Sequence, residues 1–158
     1  MPALSRSAFR AGLLLAAFLC GCGSPDGEAA VAVRQAWIRA VPSPTQPTAA
    51  YLVIENRAPA AVVLRAVETP LARRVELHES VQDGEYLRMR RLDGIEVPAR
   101  GTVELRPGGL HLMLLELTQV PRAGETVALR LFFEGSAAPA GAVAVQAEVR
   151  GLTSPARP

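Results

Sequence analysis

The sequence predicts an all-β domain, a Greek-key β-sandwich or barrel of about nine short strands. Short apolar runs follow one another at nearly regular spacing, and many of the 13 Gly and 13 Pro residues lie between them. No segment keeps a 3.6-residue apolar period over three turns, so the pattern does not indicate a helical domain. With 49% apolar and 20% charged residues, the 158-residue chain has the composition of one folded domain.

Turn-forming pairs and clusters of Gly, Pro, Asn and Asp give the limits of the predicted strands. We place the β-domain at residues 31–150 and expect residues 151–158 to form a flexible tail. The predicted strands are Val31–Val41, Thr48–Asn56, Ala61–Glu68, Arg73–Ser80, Glu85–Leu92, Thr102–Arg106, Leu110–Thr118, Thr126–Glu134 and Ala142–Val149.

Residues 1–21 have the pattern of a secretory signal of the lipoprotein type. Arg6 and Arg10 precede an apolar run from residue 11 to 19, which is too short to span a bilayer as a helix. The tetrapeptide Leu19-Cys20-Gly21-Cys22 resembles a bacterial lipobox, in which Cys22 would be acylated and become the N-terminus. We therefore expect an extracytoplasmic protein held at the membrane by a lipid on Cys22, with residues 22–30 as a tether. The alternative is an ordinary cleaved signal whose cysteines have no role.

Charge and cysteine usage exclude several function classes. Removal of residues 1–21 takes away two Arg and no acids, which leaves 15 basic and 15 acidic residues. A neutral domain lacks the clustered positive charge that nucleic-acid binding needs. Residues 23–158 contain no Cys, so the domain has no disulfide, no thiolate ligand and no cysteine nucleophile.

One hairpin can be predicted in register. Asp-Gly is a preferred pair for a two-residue type I′ turn, so we place Asp83 and Gly84 in the turn. Opposite charges and apolar residues then face each other across the two strands. This register sets Val75 opposite Leu92, Glu76 opposite Arg91, His78 opposite Met89 and Glu79 opposite Arg88. An imidazole and a thioether opposed in this way can reach one metal ion.

A second His and Met pair lies on a later strand. In the segment 110–114 the leucines alternate onto one face and His111 and Met113 onto the other, because side chains two residues apart share a face. Apart from the initiator, the chain contains no other His or Met than these four residues. Each has a structural alternative to metal binding. A His on a strand is commonly exposed or has its ring nitrogens hydrogen-bonded within the protein, and a Met commonly fills space in the core.

The donor chemistry of these four side chains favours copper. Imidazole binds Cu and Zn, whereas thioether sulfur is soft and selects Cu(I). We expect no Cys and no carboxylate partner in the set, so the four neutral donors would leave the charge of Cu(I) uncompensated. Thioethers also cannot be lost to disulfide formation in an oxidising compartment.

The spacing of the donors resembles a known signature. His78 is followed after ten residues by Met89, and after twenty-one more by His111-x-Met113. This spacing is similar to that of the periplasmic copper chaperones called PCu(A)C, and the resemblance extends over about residues 33–149. The segments that carry it are Ala36–Ala40, Ala49–Leu52, Val75–Glu79 and Pro107–Leu114.

Membership of this family implies a cupredoxin-like Greek-key β-barrel with a rather exposed Cu(I) site formed by His78, Met89, His111 and Met113. It also implies transfer of the metal to a recipient such as the CuA centre in subunit II of cytochrome c oxidase. The chain lacks the Met/His-rich C-terminal tail of some members, so we expect no second copper site there.

We therefore expect a monomeric copper-binding and transfer protein rather than an enzyme. Electron transfer by blue copper requires a Cys thiolate, which the domain lacks, and no G-x-S-x-G motif supports a hydrolase. The remaining alternative is a metal-free Ig-like domain on a lipid anchor, with a structural or interaction role.

Overall fold

Ten β-strands account for the regular structure of residues 29–151, which are the residues that the computed structural model describes. The predicted signal at 1–21, the acylation site Cys22, nearly all of the tether and the tail from residue 152 lie outside this range. Within the range there is no helix long and apolar enough to cross a membrane.

The strands alternate between buried and exposed side chains, as expected for sheets that cover a core on one face. In the strand from Thr126 to Glu134, for example, every second side chain is buried. The strands are β1 (Val31–Arg39), β2 (Thr48–Asn56), β3 (Val62–Glu68), β4 (Ala72–Asp83), β5 (Tyr86–Leu92), β6 (Ile95–Val97), β7 (Thr102–Leu105), β8 (Leu110–Leu117), β9 (Thr126–Glu134) and β10 (Val143–Arg150).

Hydrogen bonds join the strands in the order β5-β4-β8-β2-β1-β10-β9-β3-β6, and β7 also pairs with β2. All of these pairs are antiparallel except β1 with β10, which is parallel. Strands from both halves of this order contribute to one core, including Leu52, Leu64, Leu114 and Leu131. The sheet therefore folds over on itself, and the predicted all-β class is confirmed.

Nine of the ten observed strands were predicted, and the one that was not is β6. It has three residues between Gly94 and Pro98, which is too short for an alternating pattern to show. The β6 strand pairs with β3, and a Cβ atom on Gly94 would lie only 2.7 Å from Cγ1 of Val63. Glycine thus permits the close approach that lets this short segment join the sheet.

The predicted register of the β4–β5 hairpin is wrong by two residues. The turn holds Gly84 and Glu85 rather than Asp83 and Gly84, so Asp83 pairs with Tyr86. Gly84 has a φ of 63°, and a Gly in the first loop position is the preference of a type II′ turn. The Gly-x pair in the sequence was therefore the turn signal, and Asp-Gly was not.

The shift changes the partners across the hairpin but not the faces. His78 lies opposite Arg91, and Met89 lies opposite Ser80. Because a shift of two residues preserves the alternation of the side chains, His78 and Met89 still share a face, as diagonal neighbours rather than directly opposed residues. The other corrected pairs are Leu77 with Leu92, Glu79 with Arg90 and Val81 with Arg88.

Candidate metal centre

The pairing of β4 with β8 brings the two histidines side by side. His78 lies directly opposite His111 in the register, and their ring centroids are 5.8 Å apart with the planes inclined at 57°. The same ladder sets Leu77 opposite Leu112 on the other face, where both are buried in the core. The alternation of these strands therefore anchors their apolar face and leaves both imidazoles on the opposite face.

The His111 ring is fixed by the loop that precedes β8. Its Nδ1 lies 2.9 Å from the carbonyl oxygen of Gly109, and only 5% of the residue is exposed. A carbonyl oxygen only accepts, so Nδ1 carries the hydrogen and donates this bond. The neutral ring then presents Nε2 with a free lone pair, and a backbone carbonyl in this role is a common outer partner of metal-binding histidines.

His78 is fixed through the other nitrogen. Its Nε2 lies 2.9 Å from Oε2 of Glu76, and the two side chains are 15% and 12% exposed. Its Nδ1 is buried and has no hydrogen-bond partner among the described residues. A buried polar atom without a partner is unfavourable and uncommon in folded proteins. The position is therefore suited to an external ligand such as a metal ion.

Glu76 was assigned by the sequence only to an ion pair with Arg91, and its contact with His78 was missed. Both contacts exist, because Oε1 lies 3.3 Å from Nη1 of Arg91 while Oε2 faces the imidazole. Glu76 is therefore a hydrogen-bond partner of a proposed ligand, which the sequence did not predict. The signal was present as Glu-x-His on one strand, a spacing that puts both side chains on one face.

The electrostatics around Glu76 keep it ionised. The hydrogen bond from His78 is the main cause that holds the pKa of the carboxyl below its ordinary value, while burial acts in the opposite direction. The positive charges of Arg91 and Arg74 also lower this pKa. A negative charge thus lies directly beside one of the imidazoles.

The two methionines line one cavity of about 340 Å³ on this face of the sheet. Met113 is partly buried on β8, between Glu76 of β4 and Ala49 of β2 in the register. Met89 lies on the edge strand β5 and is 61% exposed, so the alternative that it is a core filler is wrong. His111 also lines the cavity, whereas His78 lies next to His111 and not on the cavity wall.

An aromatic pair lies beside this cavity. Tyr51 lines it, and its ring packs on Trp37 with centroids 4.4 Å apart. A bulge in β1, with Gln35 at a φ of 52°, shifts the register after Arg34 so that Trp37 lies opposite Tyr51. Trp37 is thus a packing residue that supports the aromatic wall of the cavity.

Arg39 places a positive charge beside the aromatic pair. Its Nη2 donates to the hydroxyl of Tyr51 at 3.2 Å, and its guanidinium carbon lies 5.8 Å from the ring centroid. Burial raises the pKa of Tyr51, and the charge of Arg39 opposes this shift. The phenol therefore remains a neutral wall of the cavity, and nothing in its geometry makes it a metal ligand.

A larger cavity of about 410 Å³ lies elsewhere, between β3, β4 and β9. Its wall includes Glu68, Arg73 and Arg130 but no imidazole or thioether. Within residues 29–151 no group of three or more His, Asp or Glu side chains is arranged to hold a metal ion. In the described part of the chain, His111, Met89 and Met113 line the smaller cavity, and His78 lies beside His111.

The chain matches known sequences over most of this domain. A family model described as "Putative lipoprotein LpqE-like" matches residues 31–149. The protein "Putative lipoprotein Lxx21020" of Leifsonia xyli subsp. xyli (strain CTCB07) is 32% identical over 111 residues, which are 69% of this chain and 66% of that protein. The chain therefore spans just under two thirds of the length of that relative.

Solved structures share the fold. A copper-bound PCuAC domain from PmoF2 has a TM-score of 0.64 and 24% identity, covering 77% of this chain and 93% of that one. The solution structure of CuI-DR1885 from Deinococcus radiodurans has a TM-score of 0.59 and 30% identity, covering 75% and 76% of the two chains. These likenesses confirm the predicted cupredoxin-like fold.

Proposed function

The chain belongs to the LpqE-like family and has the fold of PCuAC domains, and we propose that it is a monomeric extracytoplasmic copper chaperone. The proposed ligands of Cu(I) are His78, His111, Met113 and Met89. The observation that carries this proposal is the pair of adjacent imidazoles, each held by a hydrogen bond at one nitrogen. Their remaining nitrogens, Nδ1 of His78 and Nε2 of His111, are thereby available to bind.

The donor types favour a soft monovalent ion. Thioether sulfur binds Cu(I) well and adds little for zinc or for hard cations. Met113 and Met89 line the same cavity as His111, so sulfur and imidazole face a common space. The 30% identical relative in the Cu(I) form, CuI-DR1885, supports the same metal and oxidation state for this chain.

The exposure of the site supports transfer rather than storage. Met89 is 61% exposed at the edge of the sheet, so a recipient can approach the metal from that side. A Cys or His of the recipient can join the copper before the ligands of this chain leave, so the ion is not released to water. The resemblance to PCu(A)C chaperones implies the CuA centre of cytochrome c oxidase subunit II as such a recipient.

Membrane attachment through Cys22 is part of the proposal. It is supported by the lipobox-like tetrapeptide and by the lipoprotein description of the family and of the Leifsonia relative. Growth of a producing bacterium with a labelled fatty acid should label the protein, and Cys22→Ala should abolish the label. A labelled Cys22→Ala protein would contradict acylation at this residue.

An anaerobic titration tests the copper proposal directly. The domain of residues 31–150 is titrated with Cu(I) in competition with a coloured Cu(I) chelator. We expect one Cu(I) per chain, and loss of that binding in a variant with His78, His111, Met89 and Met113 all replaced. Circular dichroism of the variant should match that of the unaltered domain, because none of the four side chains belongs to the buried apolar cluster.

One observation favours the alternative of a metal-free interaction domain. The large apolar side chains that are exposed in the described range all lie on the β4–β5 hairpin, namely Val81, Tyr86, Leu87 and Met89. Exposed apolar patches are typical of protein-binding surfaces. This alternative predicts no Cu(I) binding and the same unfolding temperature with and without the metal, so the titration separates the two.

A further inference from the structure

The contact between Glu76 and His78 places a shielded charge on the face that carries the proposed ligands. The two residues are adjacent on that face of β4, and their 2.9 Å contact is largely shielded from water. Hydrogen bonds to an ionised group are shorter and stronger than neutral ones, so this contact orients the imidazole firmly. No other described side chain makes a hydrogen bond to His78.

The direction of this hydrogen bond decides which nitrogen of His78 can bind a metal. An ionised carboxylate only accepts, so Nε2 of the imidazole carries the hydrogen. In the neutral ring the lone pair then resides on Nδ1. Nδ1 is also the atom that is buried without a partner. The carboxylate and the orphaned nitrogen therefore indicate the same tautomer.

The two histidines are consequently held in opposite senses. His111 donates from Nδ1 to the carbonyl oxygen of Gly109 and presents Nε2. His78 donates from Nε2 to Glu76 and presents Nδ1. Nδ1 is closer to the backbone than Nε2. His78 would therefore bind the ion nearer to its own backbone than His111 does. The ring centroids are 5.8 Å apart and the planes are inclined at 57°, so the two imidazoles do not stack.

Glu76 also changes the charge of the site. The four proposed ligands are neutral, and the carboxylate supplies a negative charge next to one of them. Arg91 at 3.3 Å and Arg74 at 3.7 Å contact the other carboxylate oxygen, Oε1, and leave Oε2 to the imidazole. Oε2 thus accepts from the ring and orients it, as outer carboxylates do in histidine metal sites.

We propose that Glu76 is a positioning residue that selects Nδ1 of His78 as the copper ligand. This inference rests on the proposed function and adds to it the ligand atom and the residue that sets it. It separates Glu76 from Glu79, a second glutamate of this strand, which lies 2.6 Å from Nη2 of Arg90 and has no ion pair with an imidazole among the described residues. Removal of the Glu76 carboxylate should release the ring, whereas removal of the Glu79 carboxylate should not.

The first measurement uses the unaltered domain with 15N-labelled histidine. Two-bond proton–nitrogen correlations of the metal-free protein should show His78 with its hydrogen on Nε2 and His111 with its hydrogen on Nδ1. Addition of Cu(I) should then shift Nδ1 of His78 and Nε2 of His111. A His78 ring with its hydrogen on Nδ1, or bound through Nε2, overturns the proposal. Absence of any shift, with no Cu(I) bound, instead contradicts the proposed function.

The second measurement compares Glu76→Gln with the matched variant Glu79→Gln. An amide can donate to a ring nitrogen as well as accept from it, so Glu76→Gln should yield a mixture of the two His78 tautomers. We expect Cu(I) affinity to fall about 10- to 100-fold, the range for outer partners of metal ligands. Glu79→Gln should keep the tautomer and an affinity within about twofold of the unaltered domain. A twofold change in affinity is no larger than the free energy that an exposed ion pair typically contributes.

A conservative variant separates positioning from general stability. Glu76→Asp keeps a carboxylate on a shorter arm and should recover part of the tautomer preference and part of the affinity lost in Glu76→Gln. Unfolding is measured for all three variants by circular dichroism. Equal affinity in Glu76→Gln and the unaltered domain overturns the proposal. The tautomer measurement on the unaltered domain decides the question even where a variant does not fold.

Discussion

The candidate site joins two regions of the sheet that differ in how firmly they hold their side chains. His78, His111 and Met113 lie on β4 and β8, which have paired neighbours on both sides. Met89 lies on β5, which is the edge of the sheet and is paired on one side only. His111 is 5% exposed, whereas Met89 is 61% exposed. In the proposed site, the inner strands provide fixed ligands, and the edge strand provides one that solvent and a recipient can reach.

This difference assigns separate tasks to the ligands. A ring held by neighbours and by hydrogen bonds loses little additional freedom when a metal binds, so it contributes strongly to affinity. An exposed Met has several rotatable bonds and must be ordered on binding, so it contributes less. It is also the ligand that can leave first when another protein supplies a donor. Single substitutions test this division, from the largest expected effect to the smallest.

His111→Ala should cause the largest loss of Cu(I) affinity, more than about 100-fold and so above the range typical of outer partners, because it deletes a proposed ligand that is nearly buried and held by a hydrogen bond. The ring is fixed by Gly109 and is nearly buried, so no other side chain can take its place. Chelator competition measures the affinity, and thermal unfolding shows whether the domain is still folded. A folded variant with unchanged affinity would remove His111 from the site.

Met113→Leu should weaken Cu(I) binding about 10- to 100-fold, since it deletes a ligand on the inner strand while preserving volume. Leucine fills a similar space, so the unfolding free energy should change by less than about 1.5 kcal/mol. The matched control is Leu110→Met on the same strand, which adds a thioether on the opposite face. A control with the same loss of affinity would mean that packing, rather than sulfur, controls binding.

Met89→Leu should weaken Cu(I) binding by about tenfold or less, because the exposed side chain must lose rotamer freedom to bind. Its effect on folding should be small, since the residue is outside the core. The same chelator competition compares the contributions of the two thioethers to Cu(I) affinity. A larger loss for Met89→Leu than for Met113→Leu would reverse the roles of the edge and inner strands.

Predictability from the sequence differed between the same two regions. On β8 the alternation was sufficient to put His111 and Met113 on one face, although the leucines beyond Met113 lie on both faces and left open which face covers the core. On the hairpin most residues of β5 are exposed, so burial imposed no register there. The register could be predicted only from the turn residues, and the Asp-Gly-Glu segment is compatible with a turn at Asp83-Gly84 or at Gly84-Glu85. The shared face of His78 and Met89 was still predicted correctly, because an error of two residues preserves the alternation.

The contact of Glu76 with His78 could not be chosen from the sequence alone. On strand β4 the carboxylate has two basic partners in reach, Arg91 across the hairpin and His78 two residues along the strand. The sequence analysis paired Glu76 with Arg91 because oppositely charged residues that face each other on neighbouring strands stabilise a sheet. The pairing of His78 with His111 depended on β4 lying beside β8, which is a long-range feature that the local pattern does not contain.

Gly84→Ala should have the smallest effect on copper and a measurable effect on folding. Gly84 has a φ of 63° at the tip of the hairpin, and a Cβ atom there would meet no other atom within 4 Å. The cost is therefore backbone strain alone, about 1–2 kcal/mol for an L-residue in this region, and less where the exposed tip relaxes. Chemical unfolding of Gly84→Ala measures it, with Glu85→Ala in the same turn as the control.

The copper affinity of Gly84→Ala shows how far the edge strand depends on its turn. The register of the hairpin is also held by its other cross-strand pairs, among them Leu77 with Leu92 and Val81 with Arg88. These contacts should keep Met89 at the cavity, so affinity should fall less than in Met89→Leu. A loss as large as that of Met113→Leu would mean that strain at the tip reaches β4 and His78. The edge and inner strands would then act as one unit, and the exposed methionine would be a fixed ligand like the others.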